Sequence, residues 1–495
     1  MAHILLTGVT GLVGRYLVKD LLEAGLPLAV LVRPTRRATA RQRVDTMMAE
    51  WEQKLGRSLP RPVALEGDIT EPDLGLSPRA MRWVAENCDA LLHNAASLTF
   101  ESTGKDAEPW RSNVTGTRNV LEVCRNARIR KFHHVSTAYV CGRREGRVLE
   151  TELDVGQALS NDYEQSKVEA EKLVRSSAFI DELTVYRPAI IIGDSVTGFT
   201  TTYHGFYAPL QLVHTIVQRL QPDETGRAHS RARFALDGHE TKNLVPVDWV
   251  SAVTAHIVTH PEHHGKTYHL TPRHPAPIRL LGDVLEQATG FYAVSFQGVG
   301  NPVEDYTEYE QLFHDMIKIY NSYWRNDPTF DTTNTLAAAP HLPCPHVDRE
   351  LLMKLAECAI AVNFEGPRAK PIVPDFDAQR ALESLTEASD SPDGRAAGGV
   401  RLGLDITGPG GGQWSLHVRD GGVVTADVGV DAREMPTLHL STAAFATLVR
   451  GEQTANHLLA DRTVRFTGGD LPEPQLAGAL QDLAEACQSR AVLSR

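Results

Sequence analysis

The chain has 495 residues, 42% of them apolar, and a net charge of −12. That length exceeds one ordinary domain and predicts two or three, and the negative charge makes the surface as a whole a poor match for nucleic acid or anionic lipid. Six scattered cysteines without a Cys-x-x-Cys pair argue against a disulfide framework and for a reducing, cytoplasmic setting, no apolar run reaches the ~18 residues of a membrane span, and no leader pattern opens the sequence.

A short apolar run, Ile4 to Leu6, reads as a buried strand, Gly8, Gly11 and Gly14 follow it, and an apolar helix pattern begins at Leu12 and Val13. Strand, tight glycine turn and helix N-terminus together make a seat for a pyrophosphate. Gly8 permits the turn, Gly11 lets the backbone approach the phosphates, and Gly14 lets the helix pack close on the strand. Thr10, Leu12 and Val13 complete the expected cofactor loop. Leu28 to Val32 reads as the second strand. A dinucleotide fold that prefers NAD places an acidic residue near this strand's end, to hold the ribose hydroxyls. Arg33 stands here instead, followed by Thr35, Arg36 and Arg37. Cations suit an adenosine 2′-phosphate, so NADPH is the expected cofactor, with Arg33 and Arg36 on the phosphate. The competing reading is a solvated basic helix start that continues through Arg41 and Arg43.

The segment Arg36 to Leu59 reads as a long surface helix, and Val63 to Ile69 as a third strand that leaves Asp68 and Ile69 where an adenine ring rests. Ala90 to His93 reads as a fourth strand that runs into Asn94, Ala95 and Ala96. Small residues there let a cofactor lie close over the carboxyl ends of a parallel sheet. The alternation of strands and helices predicts an α/β fold, a right-handed doubly wound parallel sheet of the Rossmann kind. Lys131 to Val135 is the next strand and delivers Ser136 and Thr137. A helix then carries Tyr163 and Lys167, four residues apart and so on one face. Of the 12 tyrosines only this one has a lysine at that spacing, and it follows the strand ending in Ser-Thr. A phenol titrating near ~10 is a sluggish acid at neutral pH. A neighbouring ammonium is expected to lower that value toward the working range, while the Thr137 hydroxyl binds the substrate oxygen.

These positions make the chain resemble an extended short-chain dehydrogenase/reductase. Within that superfamily it resembles the reductases of fatty acyl and carrier-bound thioesters, through Gly67-Asp68-Ile69 with Pro72 to Leu76, Asn113 to Thr117, His134 to Val140, Tyr186 to Asp194 and Val245 to Val250. The likeness covers roughly residues 1 to 370 and weakens toward Phe330 to Thr335. It departs from the pattern in having no acyl-activating or carrier domain ahead of it and no long membrane-facing tail. The resemblance implies Tyr163 as general acid, Lys167 on the nicotinamide ribose, Thr137 polarising the carbonyl with Ser136 beside it, and Pro188 against the cofactor. It gives Asn113 a supporting role under the active-site helix.

Thr197 to Gln221, rich in aromatic and aliphatic residues, reads as a substrate cap inserted after the sixth strand, with an ordinary core helix as the alternative. A second stripe, Tyr309, Phe313, Ile317, Tyr320 and Trp324, reads as core rather than pocket. His133-His134 and His263-His264 are adjacent pairs whose side chains point opposite ways in a strand, so no metal site is expected. The domains expected are a reductase over 1–372, its cap at about 195–240 and 275–372, a linker over 373–399 of Ser, Pro, Gly and Asp character, and an α+β unit over 400–495. That last unit resembles the sterol carrier protein type 2 domain, through Gly412 to Leu416, Thr437 to Ser441, Leu448 to Gly451 and Val464 to Asp470. The resemblance implies lipid binding. The plainer alternative is a folding or dimerisation module with a solid core.

Together these readings give an NADPH-dependent reductase of a hydrophobic acyl thioester on CoA or a carrier protein. Its product is an aldehyde, with onward reduction to the alcohol left open, as is a homodimer. The alternative is an NADP-dependent dehydrogenase or ketoreductase of a sterol, terpenoid or other lipid secondary alcohol. A lipid-binding redox sensor stands further off, because Thr137, Tyr163 and Lys167 are all present.

Overall fold

The computed structural model describes residues 2–218, 224, 228–299, 301, 303–316, 318–366, 370–382, 400–419, 422–428, 435–468 and 472–491. Seven parallel strands form the main sheet: β1 His3–Thr7, β2 Leu28–Val32, β3 Val63–Glu66, β4 Cys88–His93, β5 Lys131–Val135, β6 Glu182–Pro188 and β7 Thr267–Leu270. Their order across the sheet is β7-β6-β5-β4-β1-β2-β3, the doubly wound arrangement expected. It leaves a crevice above β1 and β4, where the strand order reverses. The central strands β1 and β2 are near-continuous buried apolar runs because helices cover both faces, while β5 and β6 also bury His133, His134 and Arg187. Helices α1 Leu12–Glu23, α2 Ala40–Leu55 and α7 Val247–Thr259 close one face and α3 Pro78–Asn87 and α4 Thr117–Ala127 the other, with separate buried clusters beneath them. Helix α5 Asp162–Arg175 carries the Tyr-x-x-x-Lys pair, and α6 Tyr207–Val217 and α8 Ile278–Thr289 share a separate buried cluster through Tyr207, Leu210 and Val284.

Two local expectations are corrected. The helix expected over Arg36 to Leu59 starts only at Ala40, because Thr39 and Gln42 form a reciprocal capping box, and it is half-buried through Val44, Met47, Met48 and Trp51. The third strand ends at Glu66 rather than Ile69. Asp68 turns its N–H onto the Leu74 carbonyl at 2.8 Å, and a Cβ at Gly67 would stand 2.3 Å from that oxygen.

A second unit follows, with sheet order β10-β9-β8-β11-β12. Here β8 is Val400–Thr407, β9 Gly412–Arg419, β10 Gly422–Val428, β11 Thr437–Ser441 and β12 Arg465–Thr467, and helices Thr442–Val449, Ala455–Ala460 and Glu473–Ala491 pack on the sheet. Its core is filled by Trp414, Phe445, Leu480 and Leu483. Ala378 and Leu382 belong to that core, with Phe376 packed against it. The segment expected as linker therefore begins inside the second unit, and 383–399 lie outside the described residues. Among the described residues no helix is long and apolar enough to cross a membrane.

Candidate active site

One cavity of about 640 Å³ runs from the glycine turn to the cap. Gly8 leaves β1 with φ +72°, and a Cβ there would stand 2.7 Å from the Ala95 backbone. A Cβ at Gly14 would stand 2.1 Å from the Gly8 carbonyl oxygen, whereas one at Gly11 meets nothing nearer than that oxygen at 3.4 Å. Positions 8 and 14 thus exclude any side chain. The cradle they leave, lined by Thr10, Gly11, Leu12 and Val13, fits a pyrophosphate at a helix N-terminus. Gly14 does not reach the cavity and acts from behind it, by letting α1 close on β1. Asp68, Ile69, Asn94, Ala95, Ala96, Ser136 and Pro188 all line the same cavity.

A buried chain of hydrogen bonds ties this turn to α5. Thr7 Oγ1 accepts the N–H groups of Asn94 and Ala95 at 3.2 and 3.1 Å and meets His93 Nδ1 at 2.9 Å. His93 Nε2 meets Thr117 Oγ1 at 3.1 Å, and Thr117 donates to the Asn113 carbonyl at 2.6 Å. Burial pushes His93 down to about 3, so the ring is neutral and the chain assigns its proton to Nε2. Asn113 sits in a π-helical turn, Arg111–Gly116; it donates to Ser166 Oγ at 2.8 Å, which donates to the Tyr163 carbonyl at 2.8 Å. The supporting role expected of Asn113 is thereby seen as contacts.

At the end of the cavity beside β2, Arg33 lies 3.4 Å from Asp68 with its side chain 69% exposed. Burial opposes ionisation of Asp68, but hydrogen bonds from Thr70 and the Arg33 charge hold its carboxyl below the usual range. Arg36 does not line the cavity. The capping box leaves it exposed in the turn before α2, and Arg43, read from sequence as part of a solvated basic face, takes the cavity side and donates to the Arg33 carbonyl. The signal for this was Thr39-x-x-Gln42, which fixes the helix register.

At the other end Tyr163, Lys167 and Thr137 meet along the wall of the cavity. Lys167 Nζ donates to the Val135 carbonyl at 2.8 Å. Burial pushes Lys167 down to about 8 against the pull of the Glu171 carboxylate. Burial also pushes Tyr163 up to about 12, opposed by its hydrogen bond with Thr137. This corrects the expectation that the lysine lowers the phenol: desolvation penalises phenolate more than the neighbouring groups stabilise it. The Ser136 hydroxyl is also committed elsewhere, donating to Glu171 Oε2 at 2.7 Å, and so does not stand beside Thr137 as a second oxyanion donor. Glu171 is fully buried and pairs with Arg187 at 2.6 Å and Arg175 at 2.7 Å. Phe100 lies between two tyrosines, 5.8 Å from Tyr163 and 5.6 Å from Tyr323. Tyr323 comes from 160 residues downstream and carries no sequence signal.

Beyond this point the cavity wall is mostly apolar, with Thr202, His204 and Lys242 among its polar residues. Phe206, Leu210 and Val213 enter from α6 and its start, Phe234 and Phe296 from the paired strands Ala228–Phe234 and Phe291–Phe296, and Leu281 from α8. Leu210 and Val213 thus put α6, the helix read from sequence as cap, on the cavity wall. The second aromatic stripe is corrected in part, since Phe313 and Trp324 line the cavity while Tyr309 packs on the core beside it. Ile317 and the Tyr320 side chain lie outside the described residues.

Residues 6–254 match the NAD-binding family described as male sterility protein. The chain belongs to this family. Other members of the likeness extend further along the chain. A protein of Aspergillus flavus named aldehyde reductase lnaA is 28% identical over 393 residues, 71% of this chain and 35% of that one. The L-2-aminoadipate reductase large subunit of Penicillium chrysogenum is 26% identical over 295 residues, 55% of this chain and 19% of that one. The terminal R domain of the myxalamid PKS-NRPS biosynthetic pathway superposes with a TM-score of 0.59 at 26% identity, over 74% of this chain and 92% of that domain. The match spans about a third of the length of the curated relatives that it covers most fully.

Proposed function

We propose that the chain is an NADPH-dependent reductase that takes an acyl thioester, held on a carrier protein or on CoA, to the aldehyde. The observation that carries this reading is a single cavity that joins a glycine cradle, the Tyr163–Lys167–Thr137 group and an apolar lobe. The names of the relatives, reductases of aldehydes and of aminoadipate and a terminal R domain of an assembly line, support a thioester substrate and a carrier partner.

A bound dinucleotide would supply hydride to the carbonyl carbon. The protein's part is to receive the charge that then develops on the carbonyl oxygen. Thr137 donates a hydrogen bond there, and Tyr163 gives up its proton, giving a tetrahedral hemithioacetal. Collapse of that species breaks the C–S bond, and the thiol leaves with the aldehyde as product. A phenol held up at about 12 stays protonated across the working range, so it has a proton to give, but burial makes it a weaker acid and transfer depends on the charge that develops on the carbonyl oxygen. The Lys167 ammonium supports the phenolate once it forms. The apolar lobe takes the acyl tail, by burial of hydrocarbon area at roughly 25 cal/mol per Å².

The second unit enters this reading as a packing partner of the reductase. Its α+β order supports the sterol-carrier resemblance, yet its interior is filled by Trp414, Phe445 and Leu480, so the acyl group is assigned to the reductase cavity alone. A reducing cytoplasm fits six unpaired cysteines.

The test is NADPH consumption with acyl-CoA or acylated carrier protein, with released thiol measured in parallel. Stoichiometric thiol and aldehyde uphold the proposal. Oxidation of a hydroxysteroid or terpenoid alcohol without any thioester turnover rejects it in favour of the secondary-alcohol enzyme. A pH profile gives a second check. Lys167 is charged below about 8, so the rate is expected to be level up to that pH and to fall about tenfold per unit above it. Lys167→Arg, whose charge persists, should retain the level region to higher pH. An alkaline limb unmoved in that variant assigns it to another group.

A further inference from the structure

The first turn of α2 faces two ways. Arg43 turns to the cofactor rim beside Arg33, while Arg41 and Asp45 turn to the C-terminal unit. Arg41 donates to the Gly411 carbonyl and to Gln379, and Asp45 Oδ2 accepts the Gly410 N–H at 3.2 Å. Arg61, just ahead of β3, donates to the Gly408 carbonyl at 2.9 Å and to Glu52 of α2 at 2.9 Å. Asp45 and Arg61 are each only 3% exposed. These are desolvated charges on backbone groups, which hold geometry far better than solvated surface pairs do. The turn they grip is itself fixed. Gly410 has φ +79°, a Cβ there would stand 2.2 Å from the Phe376 carbonyl oxygen, and its own carbonyl accepts the Ala378 N–H at 2.9 Å.

We propose that the C-terminal unit is a fixed brace on α2 that sets affinity for the 2′-phosphorylated cofactor, with Arg41 and Asp45 as its positioning residues. The proposal rests on the reading that Arg33 and Arg43 receive the 2′-phosphate. Two adjacent guanidiniums repel each other, and the grip on the second unit adds to the Arg33 carbonyl bond and the buried face of α2 in keeping Arg43 at the rim. A phosphate between them removes that repulsion and favours the same placement of α2. Coupling of this kind is reciprocal: what the brace does for phosphate binding, phosphate binding does for the brace.

The experiment uses the full chain and compares NADPH with NADH by direct titration. Arg43→Gln tests the underlying reading; it should weaken NADPH and spare NADH. Asp45→Asn and Arg41→Gln touch no cofactor, yet each is expected to raise the Kd for NADPH about five-fold or more, with NADH within about two-fold. In the unaltered protein NADPH should slow hydrogen exchange at Gly408 to Gly412 more than NADH does, a readout that requires no variant to fold. If Arg43→Gln discriminates between the cofactors but Asp45→Asn and Arg41→Gln do not, the brace alone is overturned. An equal rise for both cofactors, or a lower melting temperature with unchanged Kd and no exchange difference, also overturns it. If Arg43→Gln itself fails to discriminate, the phosphate reading falls and the brace with it.

Discussion

Tyr163→Phe is expected to lower the reductive rate by about 10²–10⁴-fold while the Kd for NADPH changes by no more than about two-fold. The ring stays, so its contact with Phe100 at 5.8 Å and the Ser166 bond to the Tyr163 backbone carbonyl both survive. The hydroxyl is lost, and with it the transferable proton and the hydrogen bond with Thr137. Thr137 would still donate one hydrogen bond to the developing oxyanion, which is why a residual rate is expected rather than none. The measurement is single-turnover oxidation of NADPH with a saturating thioester, paired with a cofactor titration. Full activity in the variant would mean that the cavity performs no acid catalysis at residue 163 and would revive a binding or sensing role.

The second large effect concerns stability. Glu171→Ala should destabilise the chain by about 3–5 kcal/mol, because it strands the fully buried Arg187 guanidinium without its counter-charge. Ser136 loses its acceptor in the same stroke, and Arg175 keeps only Thr267 Oγ1 at 2.7 Å. The sign of an accompanying pH effect can be worked out. The Glu171 carboxylate pulls Lys167 up against burial. Its removal therefore lowers the lysine further, and the alkaline limb of the rate should move to lower pH. Urea unfolding reads the first effect and the rate profile the second. A variant as stable as the parent would show that Arg187 is satisfied by its other partners, the Glu152 and Glu150 carbonyls at 2.7 and 3.4 Å and His269 Nε2 at 3.4 Å.

The parts of this site that were legible in the sequence are those written at short range. Gly8, Gly11 and Gly14 sit on one turn, and Tyr163 and Lys167 on one helix face, so spacing alone carries their geometry. Arg36 and Arg43 show where short range fails. Both are arginines near the end of β2, and the choice between them depends on where α2 begins, which the Thr39–Gln42 capping box decides. Ser136 was legible as a cavity residue, but its hydroxyl is claimed by Glu171, 35 residues away. The direction of the Tyr163 titration is not legible for a related reason: the motif shows the nearby ammonium and hides the depth of burial. Tyr323, Phe234 and Phe296 reach the cavity only through tertiary folding. No periodicity within their own segments distinguishes a residue facing a cavity from one facing a core. The grip of α2 on the glycine turn of the second unit is likewise a contact between segments more than 340 residues apart.

The apolar lobe also bears on what becomes of the product. An aldehyde in water equilibrates with its hydrate, and the hydrate has no carbonyl for a second hydride to attack. On the proposed reading the carbonyl sits beside Thr137 and Tyr163 with the tail against Phe206, Leu210, Phe234 and Phe296, and a tail that fills the lobe leaves little room for water to hydrate the aldehyde before it departs. How far the reduction goes is then a contest between two clocks: exchange of spent dinucleotide for fresh at the glycine end, and escape of the product from the hydrocarbon end.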